Sequence, residues 1–193
     1  MKYLHLMKFS IKIPIGFLCA VFVLSCKAQN IQSTDFTSEF SFTKGIEGPA
    51  VDADGNLYAV NFKEQGTIGI VDSKGSGSVF VTLPEGSTGN GIRFNKAGDM
   101  FIADYTGHNV LQIKKGTKEV SVWAHNAEMS QPNDLAIAPN GTIYLSDPNW
   151  AENSGRIWMV DASRNIILLE ENMGTTNGIE VSPDGKKLYV NES

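Results

Sequence analysis

The chain has 193 residues, 41% of them hydrophobic and 19% charged, with a net charge of −5. That is enough apolar material for a packed core and too little charge for a disordered chain. The acidic balance excludes a nucleic-acid binder: the densest basic stretch, "KKGTK" from Lys114, reads as a solvated hairpin tip.

In chain order, the first element predicted is a leader. "MKYLHLMKFSIK" carries Lys2, Lys8 and Lys12, and the apolar run "IPIGFLCAVFVLS" follows it. A short apolar run behind a basic start is a secretory signal rather than a membrane span. It ends in "VLSCK", so residues 1–25 read as a bacterial lipoprotein signal, with Cys26 as the lipidated first residue of the mature chain. The expected location is therefore exported and membrane-anchored, in the periplasm or at the cell surface. Cys19 leaves with the signal and Cys26 is acylated, so no disulfide or thiol chemistry remains. Loss of three lysines takes the mature charge to −8. Residues 26–39 lack apolar periodicity and read as a tether.

From residue 40 onward one phrase returns four times: "EGPAVDADGNLYAVN" from Glu47, "NGIRFNKAGDMFIAD" from Asn90, "NDLAIAPNGTIYLSD" from Asn133 and "NGIEVSPDGKKLYVN" from Asn177. The intervals are 43, 43 and 44 residues. Each copy breaks an apolar run at a turn pair, Asp54-Gly55, Gly98-Asp99, Asn140-Gly141 or Asp184-Gly185, which signals a hairpin. Two further strand-like runs separate successive copies, so a period holds four short antiparallel strands. A four-stranded unit repeated at this interval is a β-propeller blade. A β-sandwich, the main all-β competitor, does not require one phrase to return at a fixed spacing.

Residues 40–193 are thus expected to form about three and a half blades of an all-β propeller. Four blades do not quite close, because the last stops after its second strand at "YVNES"; "FSFT" before Gly45 is a candidate outer strand for the ring. The simpler expectation is an N-terminal part of a larger propeller, with an unpaired edge at its C-terminal end.

The first strand of a blade lines the central channel, so Glu47, Asn90, Asn133 and Asn177 are expected to converge on one mouth of it. One carboxylate with several amide carbonyls is a hard-oxygen set, suited to Ca2+ or Mg2+. Asn before Gly or Asp is also ordinary turn chemistry. Glu47 tips the balance, since turn logic prefers Asn, Asp or Gly at that phase and an unpaired carboxylate there calls for a cation.

"EGPAVDADGNLY", "PNDLAIAPNGTIYLSDP" and "NGIEVSPDGKKLYVNES" resemble the senescence-marker-protein/regucalcin/gluconolactonase family, six-bladed propeller hydrolases that bind one divalent metal in the channel. The resemblance implies a Ca2+ site, or one for another divalent cation such as Mg2+ or Zn2+. By position, Glu47, Asn133 and Asn177 look like metal ligands, Asn133 also meeting substrate. Asn90 is kept as channel lining. The family's remaining ligand, an Asp that serves as general base, is expected beyond Ser193.

The activity implied is opening of a sugar lactone or related ester by metal-activated water, with the 193-residue chain alone inactive. Asp134 would support Asn133. Residues 61–66, 104–109 and 147–155 should rim the pocket, where Tyr105 and Trp150 are candidate substrate-stacking residues. Trp123 and Trp158 read as core. His108 and His125 lack a Ser or Cys nucleophile pattern, so a triad is not expected. The alternatives are a non-catalytic envelope propeller that presents a binding face, and related chemistry on an organophosphate ester or an amine condensation.

Overall fold

The computed structural model describes residues 32–193; the signal segment, Cys26 and the tether up to residue 31 lie outside the described residues. Asp35–Ser193 forms one compact unit. Among the described residues there are fourteen strands and no helix.

The first four-stranded sheet consists of β1 (Ala50–Val51), β2 (Leu57–Val60), β3 (Thr67–Val71) and β4 (Gly77–Thr82). The second holds β5 (Gly89–Phe94), β6 (Met100–Asp104), β7 (Asn109–Ile113) and β8 (Val120–His125). The third holds β9 (Leu135–Ile137), β10 (Ile143–Asn149), β11 (Ser154–Val160) and β12 (Ile166–Met173). β13 (Thr176–Val181) and β14 (Leu188–Glu192) form a fourth, two-stranded sheet. Strands follow chain order in each sheet and pair antiparallel, as expected of up-and-down blades.

Period-two alternation explains why the second strands are so apolar. Met100 and Ile102 of β6 join Tyr58, Val60 and Ile68 in one core, while Phe101 and Ala103 join Leu135, Leu145 and Trp158 in the next. A strand between two blades buries both faces and so loses the polar half of the usual pattern. β10 repeats this, with Leu145 in the second core and Tyr144 packed on Ile157 and Ile179 in the third. Outer strands show the converse: β12 is exposed from Ile167 to Asn172. Trp158 is buried, and half-buried Trp123 packs edge-on to Phe101 beneath the Arg164 guanidinium, so both tryptophans are core or core cover.

The hairpin glycines sit in the left-handed region, with φ of 84° at Gly55, 88° at Gly98, 89° at Gly141 and 72° at Gly185. The fourth turn departs from the others. Asn95 N–H bonds Asp99 C=O across the second turn, whereas Ser182 N–H reaches Lys187 C=O, one residue further along. Pairing shifts with it: Ile92 faces Ile102 in β5–β6, but the equivalent Ile179 faces Val190 in β13–β14.

One strand expectation is corrected. "FSFT" adds to no other blade's outer edge; Phe42 makes a single antiparallel bridge to Phe62 of its own blade. The two rings meet edge-to-face at 5.1 Å, and Phe62 lies against Gly69 and Gly77, where a side chain would collide with it. Aromatic packing on the blade face therefore wins over strand addition. β14 pairs only with β13, leaving its other edge open among the described residues, as the truncated fourth repeat predicts.

Candidate functional site

The four repeat openers are brought together by backbone contact between consecutive blades. Gly48, which follows Glu47, has φ +56°, and a Cβ there would lie 1.9 Å from the Asn90 carbonyl oxygen. Gly91 N–H donates to the Asn133 carbonyl at 2.7 Å, and a Cβ on Gly91 would fall 2.4 Å from Asp134 Oδ1. Asp134 Oδ2 in turn accepts the Ile179 N–H at 3.3 Å, two residues after Asn177. Glycine permits this approach because it has no Cβ. The start of each inner strand thus touches the start of the next.

The openers differ in burial. Glu47 is exposed, Asn90 and Asn133 are buried, and Asn177 is half-buried with its Nδ2 donating to Ser193 Oγ at 3.0 Å. Among the described residues no hydrogen bond occupies the Asn90 or Asn133 amide, yet no fully buried polar atom is left unpaired. Both amides therefore keep some contact with solvent. Glu47, Asn133 and Asn177 carry oxygen donors of the type that a hard divalent cation takes. Among the described residues no three His, Cys, Asp or Glu side chains cluster; here amides supply most of the candidate donors.

Asp134 is mostly buried and its carboxyl is raised above the ordinary aspartate value by burial; the Arg93 guanidinium and the Leu135 and Ile179 amides offset this only in part. Arg93 Nη2 lies 2.9 Å from Asp134 Oδ2. Asp134 is thus engaged with Arg93 and backbone amides beside Asn133.

Tyr105 is half-buried and its N–H is bonded to Thr88 C=O, while Trp150 is 41% exposed in the turn after β10. Both lie on loops that leave second strands at the end where the openers sit. His125 Nδ1 pairs with Asn109 Oδ1 at 2.9 Å, a contact between neighbouring strands.

A second recurring phase opens the three segments expected to rim the pocket, and its structural role was not singled out in the sequence. Asn61, Asp104 and Asp147 each stand at the end of a second strand, 43 residues apart, and all three are buried. Asn61 Nδ2 donates to Gly45 C=O and its Oδ1 accepts Gly66 N–H. Asp104 accepts from Ser87 Oγ, Thr88 N–H, Gly107 N–H and Asn109 Nδ2. Asp147 accepts from Ser130 N–H, Gln131 N–H and Trp158 Nε1. Each side chain pins the connection that arrives two or three residues before an opener. In the fourth copy the one-residue shift moves this task from Asn191 to Glu192, whose Oε1 accepts Gly174 N–H at 2.8 Å. Their common spacing with the openers was the available signal.

The larger grooves lie elsewhere. One of about 460 Å³ runs between the turns of the first two blades, lined by Tyr58, Phe80, Phe94 and Lys118, and a similar one recurs beside Pro139 and Pro183.

Residues 45–193 match the family model described as the SMP-30/Gluconolactonase/LRE-like region. A gluconolactonase of Zymomonas mobilis is 25% identical over 118 residues, covering 54% of this chain and 33% of that protein. Among solved structures, a gluconolactonase of Xanthomonas campestris superposes with a TM-score of 0.65 at 17% identity, covering 79% of this chain and 56% of that one. The calcium-binding protein regucalcin of Agrobacterium tumefaciens gives 0.64 at 20% identity, covering 80% and 52%. These structural likenesses show the propeller fold. The chain spans a third of its curated relative's length and about half of these solved chains.

Proposed function

Since the chain belongs to the SMP-30/gluconolactonase/LRE-like family, we propose that the whole protein is a metal-dependent hydrolase that opens a sugar lactone or a related ester. The observation that supports this reading is the close backbone approach of consecutive openers, Gly48 on Asn90 and Gly91 on Asn133, at the starts of the inner strands. The Zymomonas and Xanthomonas gluconolactonases support a lactone substrate, and regucalcin supports Ca2+.

A bound divalent cation would supply Lewis-acid polarisation of the lactone carbonyl. Glu47 would hold the cation with its carboxylate, and the Asn133 and Asn177 amide oxygens would complete this chain's share of the shell. Asn133 would also orient the substrate carbonyl. Tyr105 and Trp150 would cover the sugar ring and exclude water from its apolar face. The proton acceptor for the attacking water is assigned to a residue outside these 193. The 193-residue polypeptide alone is accordingly expected to be inactive.

The test is hydrolysis of aldonolactones by the whole protein with and without Ca2+. Turnover should require the cation and fall at least roughly 100-fold in Glu47→Gln, the size expected when a charge-bearing ligand is lost. Ca2+-independent turnover, or none on any aldonolactone, would refute the reading. Membrane anchoring through Cys26 is proposed with it; labelled palmitate should enter the wild-type protein but not Cys26→Ser.

A further inference from the structure

The residue after the opener is glycine in three copies, Gly48, Gly91 and Gly178, and aspartate in the third, Asp134. Its carboxylate joins three consecutive blades. Oδ1 accepts the N–H of Leu135 at 2.8 Å, while Oδ2 accepts Arg93 Nη2 from β5 at 2.9 Å and the Ile179 N–H from β13 at 3.3 Å. Asp134 directly follows Asn133, and Ile179 lies two residues after Asn177. One carboxylate is therefore a strut between two of the candidate ligands.

Arg93 fixes that strut. Its Nη1 donates to the Ile92 carbonyl at 2.9 Å, and its Nε lies 3.9 Å from Glu180 Oε2, so the planar guanidinium is held from both sides. A flat fork held this way fixes the direction of the oxygen that it meets, which a point charge on a flexible stem does not. Without it a mostly buried carboxylate would lose its cationic partner and turn towards water, releasing the Ile179 amide.

Resting on the metal-site reading above, we propose that Arg93 is a positioning residue for that site: it holds the Asp134 carboxylate that sets the spacing of Asn133 and Asn177. Groups that orient ligands from outside the ligand shell commonly change metal affinity roughly 10- to 100-fold when removed.

The experiment compares whole wild-type protein with Arg93→Met and Arg93→Lys by hydrogen exchange at the Ile179 amide and by calorimetric titration with Ca2+. Arg93→Met should speed exchange at Ile179 roughly tenfold or more and weaken Ca2+ binding by a similar factor, and Arg93→Lys should recover part of both. If Arg93→Met does not fold, the lysine variant still decides: it should show both effects at smaller size. Unchanged exchange at Ile179, or a lower melting temperature with unchanged Ca2+ affinity, would overturn the inference while the functional reading stands. Wild-type protein that binds no Ca2+ would overturn the functional reading and the metal claim together, with Ile179 exchange still reporting the strut.

Discussion

Glycine and carboxylate positions carry most of the information at the scale of single residues. At Gly91 an added methyl would meet Asp134 Oδ1 at 2.4 Å and the Asp134 Cα at 2.8 Å, and no low-energy shift relieves a clash with backbone. Gly91→Ala is expected to destabilise the protein by roughly 2–4 kcal/mol in chemical denaturation and to weaken Ca2+ binding in the same sample. Asp147 gives a second test. Its carboxylate takes two backbone amides and the Trp158 indole, and removing it leaves those donors unpaired in a buried setting. Asp147→Ala should cost about 3–5 kcal/mol and red-shift Trp158 fluorescence, whereas Asp147→Asn, which keeps an acceptor, should cost less.

The turns show at the element scale how a strand pair is held in register and how it answers to pH. Asp72 and Asp161 accept backbone N–H groups of their own turns, Asp161 with the Asn165 side chain in addition, and Asp184 accepts from Ser182 Oγ and the Lys186 N–H. These bonds favour the charged form and lower all three carboxyls below the ordinary 3.8. At Asp52 burial pushes upward, but bonds from Asn56, Tyr58 and Asp54 outweigh it and the result is again a lowered value. Groups lowered on folding contribute stability that is present above the unfolded value and lost as pH falls through the folded one. Melting temperature should therefore drop as the protein is acidified below about pH 4, and an Asp161→Asn variant should show a shallower drop. Register gives another element-scale prediction. Deleting Lys186 would shorten the fourth turn to the length of the others with Ser182 still facing Lys187 and Ile179 still facing Val190, so Glu192 should keep the pinning position. Glu192→Gln, an amide acceptor in place of a carboxylate, should instead lower stability by about 1 kcal/mol, measurable as a shift in denaturation midpoint.

At the scale of the whole described unit, the outer side of β14 has no strand partner among the described residues. β14 offers a free strand edge with Tyr189 57% exposed, next to a half-buried Val190. Such an edge is a template for pairing with another chain. The polypeptide of residues 35–193 alone is expected to self-associate in a concentration-dependent way in sedimentation velocity, and Tyr189→Lys should reduce this. The blade count, the hairpins and the openers were legible in the sequence because a fixed period with a two-residue alternation leaves a strand little choice of face. The shared place of Glu47, Asn133 and Asn177 before the inner strands was legible for the same reason, since equal phase in a repeat means equal position in a blade. The destination of "FSFT" was not legible: it depended on the Gly69 and Gly77 face, which no local pattern announces. Neither was the shift that hands the fourth pinning role to Glu192, because one extra residue in a turn leaves the sequence alignment intact while moving the whole strand.

By itself the sequence determined the architecture, since that follows from periodicity along one chain. Tertiary structure alone decided which side chains meet across blades, as at Arg93, Asp134 and Ile179, because residues 41 and 45 positions apart share a bond only after neighbouring blades have packed.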